Sequence, residues 1–99
     1  MIIYIAGPIT GVENYQENFD KVERGLTDIG HKVLNPAMLP QGLGDLKKYM
    51  QICLPMIDAA DAVVMLPGWE KSLGANQEYG YALARGKQIT ELRRLEAPS

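Results

Sequence analysis

Ninety-nine residues with 46% hydrophobic content suffice for one α/β domain with a small core, so residues 1–99 are expected to form a single domain and to gain stability as a homo-oligomer. The formal charge of -2, with no long basic run, argues against a nucleic-acid polymer as partner but leaves small anions possible at helix N-termini. The lone cysteine, Cys53, cannot form an internal disulfide, which fits a reducing, cytoplasmic setting, and no segment is long enough to span a membrane.

Ile2-Ile3-Tyr4-Ile5-Ala6 is a near-continuous apolar run, the pattern of a strand covered on both faces. No basic segment precedes it and Gly7-Pro8 soon follows, so it reads as a strand and not as a signal peptide. In the loop Gly7-Pro8-Ile9-Thr10-Gly11, the two glycines allow a tight turn and close backbone approach to a ligand. Tyr15, Phe19, Val22, Leu26 and Ile29 then alternate at spacings of four and three, one apolar helical face that Gly30 closes as a left-handed cap. His31-Lys32-Val33-Leu34 is a short second strand, stopped by Asn35-Pro36.

Residues 36–44 hold two prolines and two glycines and read as a loop over the active face. A second helix starts near Asp45 and carries Leu46, Met50, Cys53 and Ile57, with Pro55 expected to kink or restart it. Ala62 to Leu66 is the third strand, Pro67-Gly68 a turn, and Ser72 to Arg85 the third helix, capped by Gly86. Lys87 to Thr90 is a short last strand. The tail from Glu91, with Leu92 and Leu95 among charges, reads as a short helix or an oligomer contact. This alternation predicts a flavodoxin-like, Rossmann-type α/β fold: a parallel sheet of four to five strands with right-handed crossovers, flanked by helices. In such a sheet the first and third strands meet at the switch point, so the Gly7 loop and the Ser72 helix start face each other.

That geometry singles out Glu78. Gly74 and Ala75 lie four and three residues before it and share its helical face, so its carboxylate is expected to cross two nearly side-chain-free positions into open space. Ser72 is an N-cap by type, and a serine with free amides at a helix start is also an anion site. Trp69, in the adjoining loop, can stack a base or seal a subunit interface. Tyr4 is a core tyrosine or a ligand contact. His31 has a structural or surface role, and no group has metal-ligand spacing. Asp61 marks the opening of the third strand and caps local backbone, and Asp58 lies nearby.

The ordered series Tyr4 to Gly11, Asn35-Pro36, Ala60-Asp61-Ala62-Val63-Val64, Leu66-Pro67-Gly68-Trp69 and Ser72 to Ala82 resembles the nucleoside 2-deoxyribosyltransferase superfamily. Within it, the chain is most similar to the small, often phage-associated DUF4406 branch, and less so to the deoxynucleoside monophosphate N-glycosidases. The resemblance implies that Glu78 is the nucleophile, that Tyr4, Gly7, Pro8, Ile9, Thr10 and Gly11 surround the sugar or phosphate, and that Ser72, Gly74 and Ala75 form an anion-binding helix start. It implies neither a cofactor nor a metal, and neighbouring subunits in that superfamily complete each other's sites. Two departures stand out. The monophosphate branch carries arginine where this chain has Thr10. Enzymes of the superfamily also carry an aspartate eight residues ahead of the strand-opening Asp61, a place held here by Cys53.

A thiol is a poor substitute for a carboxylate that positions hydroxyls or moves protons. A buried small hydrophobe is the simplest reading of Cys53. The leading expectation is therefore nucleoside or nucleotide N-glycosidic cleavage or 2-deoxyribosyl transfer through Glu78. The alternatives are a non-catalytic nucleotide-binding protein, a sensor or sequestering protein, which Cys53 favours, and a structural oligomer subunit with a vestigial pocket.

Overall fold

The structure, a computed structural model, describes residues 1–96. In chain order it comprises β1 (Ile2–Ala6), α1 (Tyr15–Asp28), β2 (Lys32–Leu34), α2 (Leu46–Ala59), β3 (Ala62–Met65), α3 (Leu73–Ala84) and β4 (Gln88–Glu91), with single 3-10 turns at Pro36–Met38 and Trp69–Lys71. All strand pairs are parallel and the sheet order is β2-β1-β3-β4. This is a flavodoxin-like α/β fold, with β1 and β3 adjacent at the switch point as the alternation predicts.

Strand residues alternate between two cores. Ile3 and Ile5 of β1 and Ala62 and Val64 of β3 join Phe19, Val22 and Leu26 of α1 on one face. Tyr4 and Ala6 with Val63 and Met65 face α2 and α3 on the other, packed against Met50, Cys53, Ile57, Ala75 and Ala82. Gly7 is required where β1 leaves the sheet: a Cβ there would lie 2.7 Å from the Leu66 Cβ.

The helix ends follow local chemistry. Asp45 Oδ1 accepts from the Lys48 amide at 3.0 Å to start α2, and Ser72 Oγ accepts from the Ala75 amide at 3.2 Å to start α3. Gly30 and Gly86 take the left-handed conformation, at φ 98 and 70, past the ends of α1 and α3. Asp61 Oδ2 accepts from the Ile2 amide at 2.8 Å, capping the start of β1.

Four expectations need correction. The helix does not restart at Pro55: α2 runs unbroken from Leu46 to Ala59. Pro55 and Gln51, whose carbonyl loses its helical donor, are both on the exposed side, where water can satisfy the freed oxygen. Ile29 stands outside α1 and is 57% exposed, because the chain turns at Gly30 before that position reaches the sheet. The tail after β4 is not a helix up to Glu96; the Leu92 amide bonds to the Met65 carbonyl at 2.9 Å, and Leu92 and Leu95 pack against the α1-side core. Finally, the space over Gly74 is filled. Its ideal Cβ position lies 3.1 Å from Leu46 Cδ1 and 3.7 Å from Met50 Cε, so this glycine lets α2 approach α3 closely.

Candidate functional site

Among the described residues, Glu78 is the only charged side chain in the core, at 5% exposure. It projects from α3 toward β1, where the fully buried Tyr4 hydroxyl donates to its Oε2. Cys53 of α2, also buried, completes a trio. The three come from three elements, and α3 and α2 meet here because Gly74 presents no side chain to Leu46.

Burial controls the electrostatics. Desolvation pushes the Glu78 carboxyl up to about 7, opposed by hydrogen bonds from the Tyr4 hydroxyl and the Cys53 thiol. Burial likewise pushes the Cys53 thiol up to about 11, so it stays a thiol at neutral pH. The Tyr4 phenol lies well above its ordinary value, first through burial and then through the neighbouring Glu78 charge. The trio therefore contains one group that changes charge near neutrality, held by two that do not.

Glu78 and Cys53 form the floor of a cleft of about 290 Å³. Ile9 and Thr10 of the β1 loop line one side. Pro36, Leu39, Pro40, Gln41 and Gly42 line another, so residues 36–44 do lie over the site. Tyr15, Leu46, Tyr49 and Met50 supply the rest. Two tyrosines secure the 36–44 segment. The Tyr49 hydroxyl donates to the Pro40 carbonyl at 2.7 Å and accepts from the Leu43 amide at 3.3 Å, and Gln41 Nε2 donates to the Tyr15 hydroxyl at 3.0 Å. Among the described residues, no three His, Cys, Asp or Glu side chains are grouped to hold a metal ion.

Of the residues singled out from sequence, the structure brings Ile9, Thr10 and Glu78 into one cleft, with Tyr4 directly behind Glu78. Gly7, Pro8, Gly11, Ser72, Gly74 and Ala75 are not among its lining residues. Gly7 packs on Leu66, Pro8 approaches Gly68 and Gly11 takes a left-handed turn in open space. Ser72 serves as the α3 N-cap, Gly74 abuts α2, and Ala75 is core. Trp69 lies away from this cleft: its indole donates to Glu91 Oε1 at 3.1 Å and meets Tyr79 edge-on at a centroid distance of 4.7 Å. His31 sits at the amino end of the strands, with Nδ1 3.2 Å from the Met1 amino group.

Cys53 is buried, as its helical spacing implies, yet it also lines the cleft together with Glu78. Sequence gives Tyr15 only a place on the apolar face of α1, with no signal of a site role. For Gln41 and Tyr49 the one signal is position, within or shortly after the Pro- and Gly-rich segment expected to cover the site.

A buried carboxylate at the floor of a largely apolar cleft, at the switch point of a parallel sheet, stands where open α/β sheets commonly bind ligands. The chain belongs to the DUF4406 family, a domain of unknown function, whose profile matches residues 1–91. Its fold is that of the nucleoside 2-deoxyribosyltransferase-like superfamily. It superposes on a 2-deoxyribosyltransferase of Bacillus psychrosaccharolyticus with a TM-score of 0.72 at 23% identity, covering 92% of this chain and 71% of that one. The CMP N-glycosidase BcmB of Clostridium botulinum gives 0.66 at 20% identity, covering 92% and 70%. A 2-deoxyribosyltransferase of Leishmania mexicana gives 0.71 at 26% identity, covering 92% of this chain and 63% of that one. No curated protein matches the chain in sequence.

Proposed function

We propose that this protein cleaves or transfers the N-glycosidic bond of a nucleoside or nucleotide, with Glu78 as nucleophile. The observation that carries the reading is the buried Glu78 carboxylate, held at one oxygen by Tyr4 and opening onto the cleft. In the reaction, the free carboxylate oxygen attacks the anomeric carbon as the carbon–nitrogen bond breaks. The base leaves with the electron pair of that bond and takes up a proton. The resulting glycosyl ester on Glu78 is then opened by water, giving hydrolysis, or by a second base, giving transfer. Ile9 and Thr10 contact the sugar in this arrangement, and the residues around Tyr49 enclose the base. The structural neighbours, named as deoxyribosyltransferases and an N-glycosidase, support the same class of chemistry.

The carboxylate acts in its ionised form, so kcat/KM should rise with pH through about 7, the value to which burial brings Glu78. The test is product analysis with deoxynucleosides and their monophosphates. Free base should appear with the native chain and not with Glu78→Ala, whereas unchanged turnover in Glu78→Ala would falsify the assignment.

A second reading is favoured by one observation. Cys53, placed beside Glu78, is an uncharged thiol at neutral pH, where the resembling enzymes carry a carboxylate. A nucleotide-binding protein without catalysis accounts for that change. It predicts tight ligand binding and no free base from any of the same substrates.

The reading includes a homo-oligomer. Leu73 and Leu83 on α3 are 70% and 62% exposed, apolar surface that a second copy can cover. A monomeric mass by light scattering at micromolar concentration would remove this part of the proposal.

A further inference from the structure

The charge of the cleft bears on which form of ligand it takes. Among its described lining residues there is no lysine, arginine or histidine. Its carboxyl, thiol and phenol groups, on Glu78, Cys53, Tyr15 and Tyr49, are of types that supply no positive charge. Ile9, Leu39, Leu46 and Met50 make much of the remaining wall apolar.

The helix starts nearby do not compensate. Leu46 lies against Gly74 at the beginning of α3, and Ser72 Oγ is engaged with the Ala75 amide. At the beginning of α2 the cap is itself an anion, Asp45, accepting from Lys48. The same lack of positive charge is felt by Glu78, whose carboxyl is raised by burial and stabilised by hydrogen bonds alone, with no cation among its partners. A phosphate seated here would lose hydration, face a carboxylate, and find no cationic side chain among the described lining residues of this chain.

We infer that this site takes a neutral nucleoside and discriminates against its 5′-monophosphate. The inference deepens the glycosidic reading above and rests on it for the identity of the sugar-base ligand.

The experiment is calorimetric titration of the native chain at pH 8, where Glu78 is ionised. The ligands are the four deoxynucleosides of DNA and their 5′-monophosphates, with free base measured in parallel. At least one nucleoside should bind about tenfold or more tightly than its own monophosphate, a difference of about 1.4 kcal/mol. Monophosphates that bind as tightly as the nucleosides, or more tightly, overturn the inference. Base release from those monophosphates would leave the glycosidic reading standing without it. Preferential nucleoside binding with no base released upholds the selectivity and removes the catalysis. Binding of neither series overturns the inference and the nucleoside reading together.

Discussion

The two faces of the sheet are packed by different rules. Against α1, Ile3, Ile5, Phe19, Val22 and Leu26 form an apolar cluster with no buried ionisable group, and the buried polar side chain at its edge, Asn35, is a neutral amide bonded to Glu23. Against α2 and α3, the core contains a phenol, a thiol and a carboxyl within mutual reach. The first face follows the packing expected of an amphipathic helix on a sheet. The second sets aside part of that packing to hold Glu78 in a desolvated position. Both faces carry an apolar core, and the α2–α3 face alone also holds the buried carboxyl on which the proposed chemistry rests.

The sharpest way to test this division is to change one residue on each face. Glu78→Ala should reduce any glycosidic turnover by about 10³-fold or more, because the carboxylate stabilises charge present only in the transition state, while ligand affinity changes much less. Single-turnover rates and calorimetric affinities measured on one preparation separate the two effects. On the opposite face, Phe19→Ala should cost about 3–5 kcal/mol of stability, read by urea denaturation, with turnover per folded molecule preserved. Loss of turnover in fully folded Phe19→Ala would break the division between faces.

A smaller effect concerns pH. Burial brings the folded Glu78 carboxyl to about 7, above the ordinary glutamate value of 4.5, so between these values the folded state binds more protons than the unfolded state. This contribution to stability is complete below about 4.5 and is lost as pH rises through about 7. Glu78→Gln removes this pH dependence together with the cost of the buried charge, and should be more stable than the native chain at pH 8, by up to about 3 kcal/mol. Its advantage should shrink toward pH 5, as melting curves across that range will show. An equal advantage at both pH values would mean that Glu78 is not held in a desolvated site.

Cys53→Asp should sharpen the reactive face further. A second carboxylate beside Glu78 raises both carboxyl pKa values and lowers the melting temperature. It should also raise turnover if the chain is a slow glycosidase. A folded variant that binds nucleotide yet releases no base, like its parent, favours the non-catalytic reading.

The smallest effect is expected at the exposed Arg85–Asp58 pair, linked at 3.2 Å and joined by the Tyr81 hydroxyl. Arg85→Ala should leave melting temperature and turnover nearly unchanged, because solvent screens an exposed ion pair.

Much of this was legible along the chain. The four-three spacing of Phe19, Val22 and Leu26, the apolar runs of β1 and β3, and the caps at Asp45, Ser72, Gly30 and Gly86 are short-range signals. Each acts within a turn or two of chain, so sequence alone set the elements, their order and the parallel sheet. The same order brought the Glu78 helix and the Ile9–Thr10 loop to one edge.

Other features depend on contacts between residues far apart in sequence. Tyr4 and Glu78 are 74 positions apart, and nothing local to either marks the hydroxyl as a partner of the carboxylate. Cys53 has the spacing of an ordinary core residue, and only the close approach of α2 to α3 over Gly74 turns it toward the cleft. Trp69 sits in the expected loop, but its indole is drawn to Glu91 and Tyr79 on the far side of that loop. Periodicity specifies which face of an element is buried. Which side chains meet there, and how strongly burial shifts their ionisation, was decided by the distances between elements that only the packed structure sets.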